Sequence, residues 1–397
     1  MKLERVSRLA FVLVLFALNT EAYSQSSIDK VLNEISVNNK FIVADSKLAE
    51  SKKLEFKVGQ SLYNPFVEIT NLFGPTKDIG NQTEFKLIQS FDFPTSYSKR
   101  STLSDLKAQQ TDFEKQMYRQ DILLDAKLIC IELVSLNKKK ALLLSRISTV
   151  ETLNNLYQSK LEKGEGNILD VNKSRINLLN VKTELMIAES RVNELIQKLT
   201  EMNGGNSIVF SDTTYPSAGE IPSFVELENT IENEDFFRKS LMQEKRITQV
   251  QIELSKALSL PKFEIGYYYL GLNSQTYHGI HLGFSIPLWE NNYRTDFYKS
   301  KSAFTGLEIE SHRNEHFYQT KQLYGKYEVL KESLNEYKSI LDSSNNRELL
   351  ANALRIGELS ALEYFLEENF YYSSFDKYLE LEKEYHKVIA ELYKFQL

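Results

Sequence analysis

Leu161 to Val171 reads LEKGEGNILDV, and Leu354 to Tyr364 reads LRIGELSALEY. Leu161 is matched by Leu354, Gly164 by Gly357, Glu165 by Glu358, Leu169 by Leu362 and Asp170 by Glu363, each pair 193 positions apart. Both stretches interrupt long helical patterns that resume at once on the far side. A glycine permits the left-handed backbone that a sharp reversal requires, so each stretch predicts the turn of a helical hairpin.

The same offset recurs along the chain. Pro94 in QSFDFPTSY and Pro287 in LGFSIPLWE are 193 apart, and Pro65 in YNPFVEI and Pro261 in LPKFEI are 196 apart. Self-similarity at a fixed interval is read before any local feature. It divides the mature chain into two copies of one unit, 25–210 and 211–397, joined at NGGNSIVFSDTTYPSAGEIP. Each unit carries a helical segment (27–62, 224–259), a strand pair, a long helix, the tip turn and a shorter helix.

From Tyr97 to Lys163 neither glycine nor proline occurs across 67 residues, which as one helix spans roughly 100 Å at 1.5 Å per residue. The matching stretch from Glu290 to Ile356 contains Gly306 and Gly325. In the shorter helix, Leu178, Val181, Leu185, Ala188, Val192, Leu195, Leu199 and Met202 step 3-4-3-4-3-4-3, a heptad seam. The second unit repeats it as Tyr371, Ser374, Tyr378, Leu381, Tyr385, Val388, Leu392 and Phe395. The helices ahead of the strands and those after the turns, stacked end to end, match the long helices in length. The result is four columns with no globular core, whose seams need neighbours.

The strands alternate with period two. GIHLGFSIPL sets Ile280, Leu282, Phe284, Ile286 and Leu288 against Gly279, His281, Gly283 and Ser285. KFEIGYYYLG sets Phe263, Ile265, Tyr267 and Tyr269 against Lys262, Glu264, Gly266 and Tyr268. EFKLIQSFDF keeps Phe85, Leu87, Phe91 and Phe93 on one face, interrupted by Gln89, and FVEITNLF is shorter. Four strands are too few for a single-chain membrane barrel, which starts at eight, and an open sheet leaves two edges exposed. Three chains would supply twelve.

Composition narrows the function classes. The net charge of -6 and pI near 5.7 offer no basic footprint for nucleic acid. Five scattered histidines and one cysteine give no metal-ligand cluster, and no nucleophile elbow or phosphate loop suggests catalysis or a cofactor. MKLERVSR followed by LAFVLVLFAL and Ala22-Tyr23-Ser24 reads as a secretory signal over residues 1–24, cut after about Ser24. No later run is apolar and long enough for a membrane helix, which needs about 20 residues. Cys130, in LICIEL, reads as a small apolar residue on a helix.

Taken in order, the two-fold repeat, the FDFP and FSIPL strand ends leading into long helices, the YxxxLxxG frame before the first tip and the run NLLNVKTELMIAESRVNELIQKL resemble the TolC family of outer-membrane efflux proteins. The resemblance covers the whole mature chain. It implies an α+β membrane protein: a homotrimer whose strands form one twelve-stranded β-barrel in outer-membrane lipid and whose coiled-coil helices form an α-barrel across the periplasm. The tips, Gly164–Asn167 and Gly357–Ser360, would dock a periplasmic adaptor (membrane fusion protein) linked to an inner-membrane efflux pump. Gly164, Glu165, Gly166, Gly357 and Glu358 are the candidate docking residues.

In the family, acids past the second tip glycine line a closed constriction. Glu363 falls six residues on, where the family often has aspartate, and Leu366 replaces a second one. Asp170 is its counterpart in the first unit, facing either the lumen or a neighbouring helix. Glu363 reads equally well as an acid favoured in a first helical turn by the helix dipole. NNKFIVADSKLAESKK and QSFDFPTSY are most similar to the branch that serves RND-type heavy-metal cation pumps, while drug efflux and type I protein secretion share the architecture. A periplasmic coiled-coil scaffold without a channel accounts for the helices but not for the strands.

Overall fold

The computed structural model describes residues 27–76, 78–217, 219–272, 275–343 and 346–397. The signal segment, 1–24, lies outside the described residues. The first half runs α1 (Ser27–Asn38), α2 (Lys40–Glu55), β1 (Phe66–Leu72), β2 (Gln82–Phe91), α3 (Pro94–Glu162) and α4 (Ile168–Met202). The second runs α5 (Phe224–Glu234), α6 (Phe236–Ala257), β3 (Phe263–Leu272), β4 (Gln275–Phe284), α7 (Arg294–Ser343), α8 (Asn346–Ile356) and α9 (Ala361–Leu392), closed by a 3₁₀ turn at Lys394–Gln396.

The helix α3 is 69 residues long, with Pro94 in its first turn, where a missing N–H costs no hydrogen bond. In α4 the expected heptad positions Val181, Ala188, Val192, Leu195 and Leu199 are buried, and Leu178, Leu185 and Met202 are half-buried. The facing seam on α3 is Leu143, Arg146, Val150, Leu153 and Tyr157, also stepping 3-4-3-4 and also buried. Towards the tips the lateral order is α4, α3, α9, α7; towards the strands it is α2, α3, α6, α7. The two long helices are therefore spanned by pairs of shorter ones.

Three expectations need correction. The helical segment ahead of each strand pair is not continuous. It breaks at Asn39 (φ −62°, ψ 120°) and at Asp235 (φ −62°, ψ 111°), 196 positions apart with nearly the same backbone. At each break a short polar side chain caps the next helix, Asn39 accepting from the N–H groups of Phe41 and Ile42 and Asp235 from that of Phe237. A capping side chain offers the backbone an alternative to continuing the helix. Helix α1 consequently packs beside the end of α4, with Ile28, Val31, Leu32 and Ile35 buried in one cluster with Leu195, Leu199 and Leu133. It is α2 that meets the end of α4, through Asn39 Nδ2 donating to Met202 O at 2.7 Å.

The second long helix starts late, at Arg294, because Tyr293 adopts a left-handed φ of 64°. It then runs unbroken through Gly306 and Gly325. The described helix ends at Ser343 and α8 begins at Asn346, and the expected continuity of 290–356 between them falls on residues 344 and 345, which lie outside the described residues. Strand β4 occupies Gln275–Phe284 rather than 279–288, because pairing with β3 from Leu272↔Gln275 to Phe263↔Phe284 sets its ends, and Pro287 lies beyond it. Cys130 is fully buried in the cluster that α1, α3 and α4 share, where burial, with a smaller contribution from Asp212, pushes its thiol up to about 12.

The sheet is antiparallel in the order β1-β2-β3-β4. Its register stacks Val67, Leu87, Tyr267 and Ile280 across one face, with Ile69, Phe85 and Tyr269 in the next row and Ile265 and Leu282 on the other side. This apolar face is uncovered: Ile280 is 79% exposed, Leu282 74% and Phe284 72%. The opposite face carries Glu68, Lys86, Tyr268 and Gly279 in register, with Lys86 Nζ 3.1 Å from Glu68 Oε1. Among the described residues β1 and β4 each pair on one side alone. No described helix is long and apolar enough to cross a membrane.

Candidate functional site

Both hairpins reverse in the same way. Gly164 takes φ +74° and Gly357 φ +80°, the left-handed region open to glycine. The N–H of Gly164 donates to Leu161 O (3.0 Å) and that of Glu165 to Lys160 O (2.9 Å). The N–H of Gly357 donates to Leu354 O (3.3 Å) and that of Glu358 to Ala353 O (2.9 Å). These bonds satisfy carbonyls that a helix end otherwise leaves unpaired. Glu165 and Glu358 contribute through their backbones; both side chains are exposed.

Past the glycine the tips diverge. A Cβ on Gly166 would lie 2.7 Å from Leu161 N and 3.0 Å from Lys160 C, so the first turn closes against its own helix only with glycine there. The matching position in the second tip is Leu359. Helix α4 is capped by Asn167, whose Oδ1 accepts from Leu169 N–H at 3.0 Å. Helix α9 is capped by a reciprocal box: the N–H of Ser360 donates to Glu363 Oε2 at 2.8 Å, and the N–H of Glu363 to Ser360 Oγ at 3.3 Å.

The two candidate acids consequently sit in different environments. Glu363 is exposed, and the N–H and side chain of Ser360 hold its carboxyl below the usual value. Asp170 is half-buried and lies close enough to Tyr157 on α3 to act on it. Burial first, and the Asp170 charge second, push the Tyr157 phenol up to about 12. Its hydroxyl is buried with no hydrogen-bond partner among the described residues. The tips are joined by an apolar cluster of Leu153, Tyr157, Val171, Tyr364 and Phe365, with the Tyr157 and Phe365 ring centroids 6.3 Å apart.

Two turns from this cluster lies a residue that sequence reading passed over. Arg146 occupies a seam position of α3 and is 7% exposed. Its Nη2 donates to Asn369 Oδ1 at 2.6 Å, and its guanidinium lies 4.5 Å from the Tyr372 ring centroid. Glu368, beside Asn369, is 4% exposed. A polar residue at one heptad core position fixes register, so this contact sets how α9 sits on α3. The signal was available, since a charge at the second position of the stripe Leu143, Arg146, Val150, Leu153, Tyr157 breaks an apolar pattern. No described group of three or more His, Cys, Asp or Glu could hold a metal ion.

No protein-family model matches the chain, and no curated protein does. Solved structures do. The chain is similar to CusC, a transmembrane channel protein, with a TM-score of 0.77 at 12% identity over 96% of this chain and 95% of that one. It is similar to the Campylobacter jejuni CmeC outer membrane channel, with a TM-score of 0.69 at 13% identity over 93% and 85%. The open state of the Neisseria gonorrhoeae MtrE outer membrane channel gives 0.69 at 12% identity over 93% and 88%. The chain thus has the TolC-like fold, at nearly full length on both sides of each comparison.

Proposed function

We propose, taking this fold as the premise, that three copies of the chain form a passive duct across the outer membrane and periplasm, the outer-membrane component of a tripartite efflux system. One observation carries the reading. A four-stranded sheet exposes an apolar face on one side, carries charges on the other and leaves both edges unpaired. Three such sheets joined edge to edge give twelve strands, remove every edge and turn the apolar face to lipid, as an outer-membrane barrel requires. Strands of 10 residues suit that thickness at a barrel's tilt. The two repeated units then supply adjacent pairs of columns of the helical barrel.

In this duct the tips are the periplasmic end. Gly164, Glu165, Gly166, Gly357 and Glu358 present the docking surface to an adaptor, and an inner-membrane pump of the RND type supplies the energy. Glu363, exposed and one per chain, is the acid of the gate; Asp170, half-buried and within electrostatic reach of Tyr157, braces the hairpin. Three carboxylates around one axis repel each other and attract cations. Heavy-metal cations are the proposed cargo, on the sequence resemblance.

The architecture is tested by crosslinked mass and planar-bilayer conductance of the purified protein. A trimer with steady conductance is expected; a soluble monomer without conductance would sink the reading. Ile280→Arg on the apolar face should cost about 2–4 kcal/mol at mid-membrane depth and reduce insertion. Glu363→Gln removes the charge while glutamine keeps the capping box. It should raise basal conductance and weaken block by divalent cations, and Asp170→Asn should not. Cargo is read from the metal, dye and antibiotic susceptibility of a deletion strain.

A further inference from the structure

The break at Asp235 carries chemistry that the break at Asn39 lacks. Asp235 Oδ1 caps α6, while Oδ2 lies 2.5 Å from His312 Nε2 on α7. His316, one turn on, has its ring centroid 5.5 Å from that of His312. Both imidazoles, with Asp235 and Phe236, line a cavity of about 460 Å³ between α3, α5, α6, α7 and the end of α9. Phe237 packs its edge on His312 at 4.7 Å. At the matching place in the first half, Asn39 reaches a backbone carbonyl, Met202 O, and the first half of the chain has no histidine.

The surrounding charges are largely committed. On α5, Glu232 is 3.4 Å from both Arg238 of α6 and Arg313 of α7, and Glu228 lies within reach of His316. From α3, Asp121 faces the cavity but is paired with Lys394. From α9, Glu391 lines it, with its carboxyl raised chiefly by burial. Asp235 is the carboxylate in direct contact with the histidine pair, through His312, while Glu228 and Glu232 act on His316 from α5.

We propose that this junction is an acid-sensitive hinge: His316, packed beside the His312–Asp235 pair, is neutral in the closed junction, and its protonation releases α5 and α6 from α7. Histidine is the side chain that ordinarily changes charge between about pH 5 and 8. Burial holds His316 below the usual histidine value, with the help of His312 and against the pull of Asp235, Glu228 and Glu232. The folded junction therefore binds fewer protons at His316 than the open one. Its stability is complete above the ordinary histidine value of about 6.5 and declines as pH falls through it. Asp235 stays a carboxylate throughout. Burial pushes its carboxyl up, but the His312 hydrogen bond and charge, the Phe237 N–H and His316 together hold it below 3.8.

Hydrogen exchange of the full-length protein in detergent, corrected for intrinsic rates between about pH 5 and 8, tests this. Peptides covering residues 228–240 should open more as pH falls, by up to about tenfold per pH unit, the limit for one proton. Peptides covering residues 35–45 should stay flat. His316→Gln should flatten the first profile. Asp235→Asn keeps the cap, as Asn39 does at the matching break, and by removing a charge that favours the imidazolium in the closed junction should deepen the acid-induced opening. A flat wild-type profile, an unchanged profile in His316→Gln, or no deeper opening in Asp235→Asn would each overturn the hinge. None of these readouts depends on conductance or on trimer formation.

Discussion

The two halves of the chain make the same two breaks with different side chains. In the first half both helix restarts are capped by amides, Asn39 for α2 and Asn167 for α4. In the second both involve carboxylates, Asp235 for α6 and the Ser360–Glu363 box for α9. Backbone geometry is preserved to within ten degrees of ψ at Asn39 and Asp235 and to within ten degrees of φ at the tip glycines. The comparison teaches that repetition conserves where the chain turns, while the choice of cap decides whether the turn responds to charge. A neutral amide fixes the first half, and ionisable groups bias the second.

That asymmetry can be broken by moving residues between halves. The largest effect is expected from Gly166→Leu, which places the second tip's residue in the first. Its Cβ must displace the backbone of Lys160 and Leu161, a cost of about 2–3 kcal/mol. Tryptic cleavage at Lys163 should accelerate accordingly, with cleavage at Arg355 unchanged. Next come Gly164→Ala and Gly357→Ala, at about 1–2 kcal/mol each for a left-handed non-glycine residue. A Cβ meets nothing at either position, so strain alone acts and the two tips should respond alike.

Removing a cap should cost about 1 kcal/mol, at Asn167→Ala and at Ser360→Ala, read as faster exchange in the first turn of α4 or α9. Ser360→Ala should cost more of the two, because it also frees the Glu363 carboxylate from its hydroxyl partner. The smallest effect is the pH response of the second tip. The Glu363 carboxyl is lowered in the fold, so its contribution is complete above the usual value of 4.5 and fades as pH falls below it. Exchange at residues 360–364 should rise in acid while residues 167–171 hold. Equal acid responses at both tips would show that the difference in caps has no consequence.

Much of this was legible beforehand, because it rests on period and offset. The heptad of α4 was readable from Leu178 to Met202 because burial on one helical stripe demands that spacing, and the glycine turns were readable because few residues adopt positive φ. The breaks at Asn39 and Asp235 were not legible. Asn and Asp are tolerated inside helical patterns, and neither glycine nor proline marks the spot; what makes these residues caps is that their side chains also reach Met202 O and His312 on other helices. Strand ends slipped for a similar reason, since the polar start of β4, Gln275 to His278, shows no apolar alternation and is strand because β3 extends beside it.

By itself, then, the sequence determined the repeat, the hairpin reversals, the seams and the alternation of the strands. All of these follow from local stereochemistry and from which face must leave water. Tertiary structure alone decided how the tips and the second break are braced. It left Asp170 near enough to Tyr157 to act on its phenol, sank Arg146 into the seam below the tips, and set two histidines beside Asp235 at the second break. Those outcomes depend on side chains brought together from different helices, 13 to 223 positions apart in the chain.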